Sequence, residues 1–377
     1  MDFSKLTALL NDMPRRGIPF IDLVVTKDGK EVYRHLVGNS DYENKKPLEK
    51  SDLYWLYSAT KLVTCTCALQ LVEKGIISLD DPVYKYLPAF KNLRVRQTQG
   101  GPKPAKNTMT IEHLFTMTSG IGQEHENSRD FYIAMANNDF TTADIVSAFA
   151  SVPLYFEPGT HYQYGFSHDV LAAVVEVASK IRFCDYVKQN VLDPLGMKDT
   201  GFRMTPEQKV RTAACFVYNN ANGTSVPIPN HNLFGMAPNY DSGGAGLFSC
   251  ADDYIKFITT LANGGTTEDG YVLLKEETIK KMGENHLCDD ALVDFVNGRL
   301  HGYGWGLCGR THINPYMSLS KSPVGEFGWD GMAGSFAMVD SENHVAAFYG
   351  MHVISCTYSY IILQPLIRNL IYEGLNS

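Results

Sequence analysis

Long hydrophobic runs are absent from this 377-residue sequence, and a membrane-spanning helix, which needs about 20 consecutive apolar residues, is therefore excluded. Basic residues are also outnumbered: 33 Lys and Arg against 41 Asp and Glu give a formal charge of −8. No basic run stands out that could neutralise a phosphate backbone. We therefore expect neither a membrane nor a nucleic acid as a partner. The 44% hydrophobic and 20% charged residues exclude extended disorder and are typical of a globular protein.

Metal and export signals are missing too. No H-E-x-x-H motif occurs, and the closest of the eight cysteines, Cys65 and Cys67, lie in an apolar run without metal-ligand spacing. The first twenty residues contain no unbroken apolar segment followed by a small-residue cleavage site. We expect no metal, no cofactor and no signal peptide, and a cytoplasmic protein with reduced thiols.

Strand-like segments stand near both ends of the chain. Residues 19–26 and 31–37 flank an Asp28-Gly29 pair typical of a hairpin, and further strands are predicted at 335–339 and 345–352. The middle, about 79–298, is predicted to be mostly helical, and a terminal helix is predicted at 358–372. Individual helices of the middle are predicted at 110–117, 142–150, 167–179 and 251–262.

These patterns predict an α/β (α+β) fold. We expect an antiparallel sheet assembled from both chain termini and flanked by helices, with a large, mostly helical insertion. The predicted domains are 1–57 together with 300–377 for the sheet, and 58–299 for the helical part. The active site is expected at the interface between them.

One predicted helix carries the first candidate for chemistry. Residues 58–74 are apolar around most of the helical circumference, and Gly75 is placed to end the helix. The helix opens with an S-x-x-K motif, in which Lys61 stands one turn after Ser58 on the same face and could accept its proton. From the residues alone, Ser58 could equally be an ordinary helix N-cap. A second S-x-x-K, at 318–321, lacks apolar periodicity and is not favoured.

Further motifs follow in an order that resembles the serine β-lactamase-like superfamily, which includes class C β-lactamases, D-Ala-D-Ala carboxypeptidases and family VIII carboxylesterases. The similar segments are 58–61 (SATK), 79–83 (LDDPV), 86–88 (YLP), 110–120 (TIEHLFTMTSG), 195–200 (LGMKDT) and 243–249 (GGAGLFS). The resemblance extends from about Tyr57 to Gly350. It implies a β-lactamase/transpeptidase-like fold in which Ser58 is the nucleophile.

Tyr164 matches the second catalytic element of that superfamily, a tyrosine that is usually followed by x-Asn. Residues 162–171 read YQYGFSHDVL, which is similar to the esterase-like variant that lacks the asparagine. The resemblance implies that Tyr164 is a general base near Ser58, whereas a core tyrosine with a satisfied hydroxyl is the ordinary alternative. Whether Lys61 or Tyr164 takes the first proton stays open here.

The third element is normally Lys-Thr-Gly, and the corresponding segment, GWDGM at 328–332, resembles the tryptophan form of esterase-like members. A lysine would pair with the carboxylate of a β-lactam or peptide. Trp329 instead offers an apolar face and one N–H donor, which favours uncharged acyl substrates. Gly331 would allow close backbone approach, and by analogy the N–H groups of Ser58 and Met332 would form the oxyanion hole.

The predicted substrate-binding residues are Tyr57, Tyr162 and Asp330. An aromatic-rimmed acyl pocket is also suggested, although its members could be core packing; they are Tyr54, Tyr57, Tyr162, Phe327 and Trp329. The G-x-G-x-x-G pattern at 304–309 lies outside any βαβ unit and is predicted to be a turn. No G-x-S-x-G occurs, which excludes the α/β-hydrolase nucleophile elbow.

Together these features predict a serine hydrolase that cleaves esters or related acyl bonds of small uncharged acyl groups through a Ser58 acyl-enzyme. A β-lactamase, a D-amino-acid peptidase and an acyltransferase on the same scaffold are alternatives. A third hypothesis is an acyl-binding sensor that is acylated without turnover. The expected partner is a small-molecule acyl substrate, and self-association into a homo-oligomer is left open.

Overall fold

The computed structural model describes residues 1–297 and 300–377, and its largest sheet is built from both ends of the chain. Its strands are β1 (Phe20–Lys27), β2 (Lys30–Gly38), β3 (Tyr303–Trp305), β4 (Arg310–His312), β5 (Phe327–Gly328), β6 (Phe336–Asp340) and β7 (Val345–Gly350). Their order across the sheet is β2-β1-β7-β6-β5-β4-β3, and every neighbouring pair is antiparallel. The predicted fold class, with a sheet from both termini and a mostly helical insertion, is confirmed.

The strands of the main sheet that come first and last in the chain, β1 and β7, lie side by side, and β1 is next to the edge strand β2. Lys27 lies opposite Lys30 across the tight turn of the first hairpin, where Asp28 and Gly29 have φ of 50° and 76°. These positive φ angles are the ones that an Asp-Gly hairpin turn requires. On its other side β1 pairs with β7, so that Asp22 lies opposite Gly350. The predicted strands at 19–26, 31–37 and 345–352 therefore exist, with ends displaced by one or two residues.

Both faces of β1 are buried, which explains why apolar residues follow one another at 23–25 in place of an apolar-polar alternation. Leu23 and Val25 belong to one hydrophobic cluster with Ile367, near the C-terminus. Val24 points the other way and belongs to a second cluster with Leu62 of the helical region. A strand that is covered on both faces does not alternate between apolar and polar residues.

The helical region lies between residues 60 and 297 in the chain, and further helices cover the sheet near the termini. The helices are α1 (Ser4–Asp12), α2 (Thr60–Glu73), α3 (Ile111–Phe115), α4 (Arg129–Met135), α5 (Thr142–Ser147), α6 (Ser167–Ser179), α7 (Phe183–Val187), α8 (Pro206–Val210), α9 (Ala251–Ala262), α10 (Glu276–Met282), α11 (Asp289–Val296), α12 (Pro315–Ser318) and α13 (Gln364–Asn376). The bounds of α6 and α9 agree with the predicted ones, because both helices carry long apolar periodic segments.

Short strands supplement the main sheet. One small sheet consists of Cys215–Asn219, Thr224–Ile228 and Val353–Ile354, and two strand pairs join Tyr54–Trp55 to Phe248–Ser249 and Arg94–Val95 to Lys103–Pro104. The sequence patterns predicted neither these nor β3 to β5, because two or three residues are too few to show a period. The predicted turn at 304–309 begins inside β3, and its last four residues form the turn to β4, in which the Gly306 N–H donates to Gly309 at 2.9 Å.

Several predicted helices have different ends. The segment 142–150 is helical only to Ser147 and continues as a 3-10 helix, Ala148–Ser151. The terminal helix begins as a π-helix at Ser359–Leu363 and continues to Asn376. The division into two domains stays a prediction, and its boundary at residue 299 lies outside the described residues. In the described part of the chain, no helix combines the length and apolar character that crossing a bilayer requires.

Candidate active site

Ser58 lies in a 3-10 turn, Tyr57–Ala59, that leads directly into α2. The predicted helix therefore starts with a tighter turn, and it ends as expected at Gly75, whose φ is 67°. Tyr57 has a φ of 46°, a left-handed backbone that costs a non-glycine residue about 1–3 kcal/mol. Ser58, the next residue, lines a cavity of the described structure.

Lys61 reaches Ser58 from one turn further along the chain. Its Nζ lies 3.2 Å from Ser58 Oγ and donates to the Gly244 carbonyl at 2.7 Å. The side chain is buried, with 3% of the residue exposed, and the spacing of three residues places it on the same helical face as Ser58. The amine is thus fixed by the helix on one side and by the 243–249 segment on the other.

Tyr164, from the loop before α6, completes the group around Ser58. Its hydroxyl lies 2.7 Å from Ser58 Oγ, and Trp329 Nε1 donates to the same phenolic oxygen at 3.0 Å. Lys61 Nζ lies 4.8 Å from the centroid of the Tyr164 ring. Four side chains from three separate parts of the sequence therefore form one connected hydrogen-bond network.

The backbone of the 328–332 segment closely approaches Leu56, two residues before Ser58, at Gly331. A Cβ at this position would lie 2.2 Å from the carbonyl oxygen of Leu56 and 2.3 Å from Ser335 Oγ, so only glycine fits. The next residue, Met332, lines the cavity with Ser58. In the part of the chain that the structure describes, the backbone N–H groups of Ser58 and Met332 donate to no backbone carbonyl.

A cavity of about 590 Å³ opens in front of Ser58. Seven of the 20 residues that line it are aromatic: Tyr162, Tyr164, Phe166, Phe234, Phe295, Trp329 and Tyr360. Of the predicted substrate-binding residues, Tyr162 and Asp330 line it. A second cavity of about 220 Å³ shares four wall residues with the first: Leu300, Trp329, Asp330 and Tyr360.

Tyr57 is placed differently from its predicted position. Its side chain is fully buried, stacks edge-on against Phe234 at 6.1 Å and does not line the cavity. Tyr54 and Phe327, which were suggested for the aromatic rim, are also fully buried and belong to the core. Spacing along the chain cannot separate these residues from Tyr162 and Trp329, because an aromatic side chain suits a core and a pocket wall equally well.

Three contributors to the site carried no role in the sequence analysis. Asp169 and the Gly244 carbonyl surround Lys61, and Tyr360 places its hydroxyl 2.6 Å from the Met332 carbonyl. A signal for Asp169 was present, since an acidic residue in the first turn of a strongly apolar helix is rarely buried without a partner. Tyr360 gave none, because it lies in a terminal segment whose pattern indicates only a helix.

The family model for beta-lactamases matches residues 6–352. The chain belongs to the beta-lactamase family. The resemblance of the sequence motifs to this group is thereby confirmed. Within the family, the chain is 29% identical over 378 residues to esterase EstB from Burkholderia gladioli, covering 94% of this chain and 86% of the relative.

Two other relatives are similar over most of their length. The acyltransferase calJ from Penicillium decumbens is 28% identical over 357 residues, covering 87% of this chain and 82% of the relative. The solved structure of unliganded simvastatin synthase (LovD) from Aspergillus terreus superimposes with a TM-score of 0.82 at 22% identity, covering 99% of this chain and 98% of that chain. This structural likeness shows a shared fold.

Proposed function

We propose that this beta-lactamase-family protein is a serine hydrolase that cleaves esters through an acyl-enzyme at Ser58. The observation that carries the proposal is the position of Ser58 Oγ, which lies 2.7 Å from the Tyr164 hydroxyl and 3.2 Å from Lys61 Nζ at the wall of a large cavity. A hydroxyl is a weak nucleophile unless a neighbouring group takes its proton. Two such groups are within hydrogen-bond distance here.

In the first half of the reaction, Ser58 Oγ attacks the acyl carbon of the ester while its proton passes to the Lys61 and Tyr164 pair. The carbonyl oxygen becomes negative, and the N–H groups of Ser58 and Met332 stabilise it. The tetrahedral intermediate collapses when the bond to the alcohol oxygen breaks. The leaving alkoxide takes up the proton, and the acyl group stays on Ser58.

In the second half, water replaces the alcohol. Tyr164 and Lys61 take a proton from the water as its oxygen attacks the acyl carbon, and the bond to Ser58 Oγ breaks. The proton returns to Ser58, and the carboxylic acid leaves. The same groups thus serve both halves, which is what microscopic reversibility requires of a symmetrical acyl transfer.

The proposed substrates carry small, uncharged acyl groups. Trp329 presents an indole at the position where a lysine would bind a substrate carboxylate, and it donates its only N–H to Tyr164. The aromatic lining of the cavity offers apolar surface to an acyl chain. The similarity to a protein named as an esterase supports this choice over a β-lactam or a D-amino-acid peptide.

Acyl transfer is the second candidate function. The adjoining cavity of about 220 Å³, which shares Trp329 and Asp330 with the first, offers room for an acceptor alcohol or amine in place of water. The similarity to a protein named as an acyltransferase supports it. The nucleophile and its partners are the same in both reactions, so the acceptor decides between them.

We propose the cytoplasm as the location of the enzyme. The eight cysteines of the chain all lie in the described residues and are free thiols, the form that a reducing compartment maintains. Self-association stays a prediction, tested by light scattering of the purified protein.

The first experiment measures turnover of p-nitrophenyl butyrate. Ser58→Ala is expected to abolish it, and Lys61→Ala is expected to lower kcat at least about 100-fold, the usual contribution of a positioned proton acceptor. The chain offers a matched control in its second S-x-x-K motif, where the exposed Lys321 pairs with Glu373. Lys321→Ala should keep wild-type turnover. Wild-type activity in Ser58→Ala would refute the proposal.

A second experiment separates the candidate functions. Intact-protein mass spectrometry after mixing with an ester and with a cephalosporin records any adduct on Ser58. A transient ester adduct with released acid indicates a hydrolase, and faster release with an added alcohol indicates acyl transfer. A stable adduct without product would instead establish the sensor hypothesis, and rapid cephalosporin turnover the β-lactamase one.

A further inference from the structure

A buried carboxylate stands next to Lys61 without a role in the steps described above. Asp169, in the first turn of α6, is 2% exposed, and its Oδ1 accepts hydrogen bonds from Tyr240 at 2.8 Å and from Ser242 at 2.7 Å. Two hydroxyl donors directed at one buried carboxyl group favour its ionised form.

Gly244 brings Asp169 and Lys61 together. A Cβ on Gly244 would lie 2.4 Å from Asp169 Oδ2 and 3.3 Å from Lys61 Nζ, so the two charged atoms are no further apart than the sum of these distances, 5.7 Å. The Gly244 carbonyl accepts a hydrogen bond from Lys61 Nζ at 2.7 Å. One peptide segment without a side chain therefore connects the acid to the base.

We propose that Asp169 is a positioning residue that keeps Lys61 in the ammonium form and fixes the Gly244 carbonyl to which this ammonium donates. The proposal rests on the proposed hydrolase function and names the charge state of one of its groups. Burial raises the pKa of the Asp169 carboxyl above its ordinary value, and the nearby Lys61 charge and the hydrogen bonds from Ser242 and Tyr240 reduce this rise without cancelling it. An ion pair across Gly244 stabilises both buried charges.

The other titratable groups near the pair do not replace Asp169. His168 is buried and its pKa is lowered to about 3, first by burial and then by Lys61, so it is neutral. Burial raises the pKa of the Cys65 thiol and of the Tyr240 hydroxyl well above their ordinary values, so both are neutral as well. Glu126 is half-buried, and burial and Asp169 raise the pKa of its carboxyl. Asp169 is therefore the carboxylate that balances Lys61.

This charge state assigns the proton transfers that the proposed mechanism leaves open. With Lys61 charged throughout, the Ser58 proton passes to the Tyr164 oxygen 2.7 Å away, and Tyr164 returns it to the alkoxide when the ester bond breaks. In this assignment Tyr164 reacts as the phenolate, beside which the Trp329 N–H and the Lys61 ammonium lie. No proton is gained or lost over the two transfers.

The test is the pH dependence of kcat/KM for p-nitrophenyl butyrate in Asp169→Asn. The amide retains an oxygen for Tyr240 and Ser242 but removes the charge, so Lys61 loses its proton more easily and the alkaline limb should move to lower pH by at least about one unit. Ser242→Ala is the matched control, because it removes one hydrogen bond and keeps the carboxylate; its alkaline limb should coincide with that of the wild type. An unmoved alkaline limb in Asp169→Asn would overturn the proposal.

A second variant covers the case in which Asp169→Asn does not fold. Tyr240→Phe removes a hydroxyl donor from the carboxylate, so the pKa of Asp169 rises further and the acid limb of kcat/KM should move to higher pH. An acid limb at the wild-type position would count against the ionised Asp169. The two proposals can be refuted separately. If Ser58→Ala keeps its activity, the proposed hydrolase function is wrong. If Ser58→Ala is inactive but Asp169→Asn has the pH profile of the wild type, only the proposed role of Asp169 is wrong.

Discussion

Trp329, in the 328–332 segment, contacts the groups around Ser58 through one hydrogen bond to Tyr164. Trp329→Phe removes this hydrogen bond and keeps an aromatic ring at the position. The indole N–H donates to the Tyr164 oxygen at 3.0 Å, and the Trp329 ring packs on Trp305 with 4.6 Å between ring centroids. A hydrogen bond to a charged group contributes about 1.5–3 kcal/mol, so Trp329→Phe should lower kcat/KM for p-nitrophenyl butyrate by roughly 10- to 150-fold.

Trp305 offers the matched control for this variant. It is also buried and aromatic, but its N–H donates to the Phe115 carbonyl at 3.0 Å and not to Tyr164. Trp305→Phe should therefore destabilise the protein in thermal unfolding while lowering kcat/KM much less than Trp329→Phe does. If both variants lost activity in proportion to their loss of stability, the hydrogen bond to Tyr164 would have no special part in catalysis.

Two further predictions concern packing and buried charge. Gly331→Ala should destabilise the protein by about 1–3 kcal/mol and lower kcat, because the new Cβ would lie 2.2 Å from the Leu56 carbonyl oxygen. Gly101→Ala is the control, since no atom lies within 4 Å of its Cβ, and it should change neither the unfolding free energy in denaturant nor kcat. Glu326→Gln should cost about 3–5 kcal/mol at neutral pH, because two buried arginines lose the charge of their partner. Burial opposes ionisation of Glu326, but the arginines outweigh it and hold the pKa of the carboxyl below its ordinary 4.5. This stabilisation is present above pH 4.5 and is lost as pH falls through the lowered pKa, so the difference between wild type and variant should shrink in acid; a constant difference in unfolding free energy across pH would contradict it.

Local sequence patterns predicted the long regular elements well. The bounds of α6 and α9 agree with the predicted ones because their apolar residues repeat with helical period over three turns or more. The first hairpin follows from Asp28 and Gly29, which adopt the positive φ angles its turn needs. The short strands β3 to β5 escaped prediction because pairing with their neighbours in the sheet, and not their own composition, makes them strands.

The residues of the candidate site also differ in how far local sequence patterns predicted their positions. The approach of Lys61 to Ser58 follows from a spacing of three residues on one helix, and the structure shows the two side chains 3.2 Å apart. Tyr164 lies 106 residues from Ser58, and only the family resemblance indicated that they meet. The family resemblance did not predict that the Tyr57 side chain is buried in the core. Tyr57 has a left-handed backbone φ that no neighbouring residue indicates. The catalytic roles of these residues stay predictions for the experiments above.

The sequence by itself determined the class of fold, the helix that presents a serine and a lysine on one face, and the replacement of a lysine by Trp329, since each depends on residue type and spacing over a few positions. Only the tertiary structure decided which aromatic side chains line the cavity and that Asp169 stands across Gly244 from Lys61. The physical reason is that charge pairing and burial depend on contacts between segments distant in the chain, which no local period records.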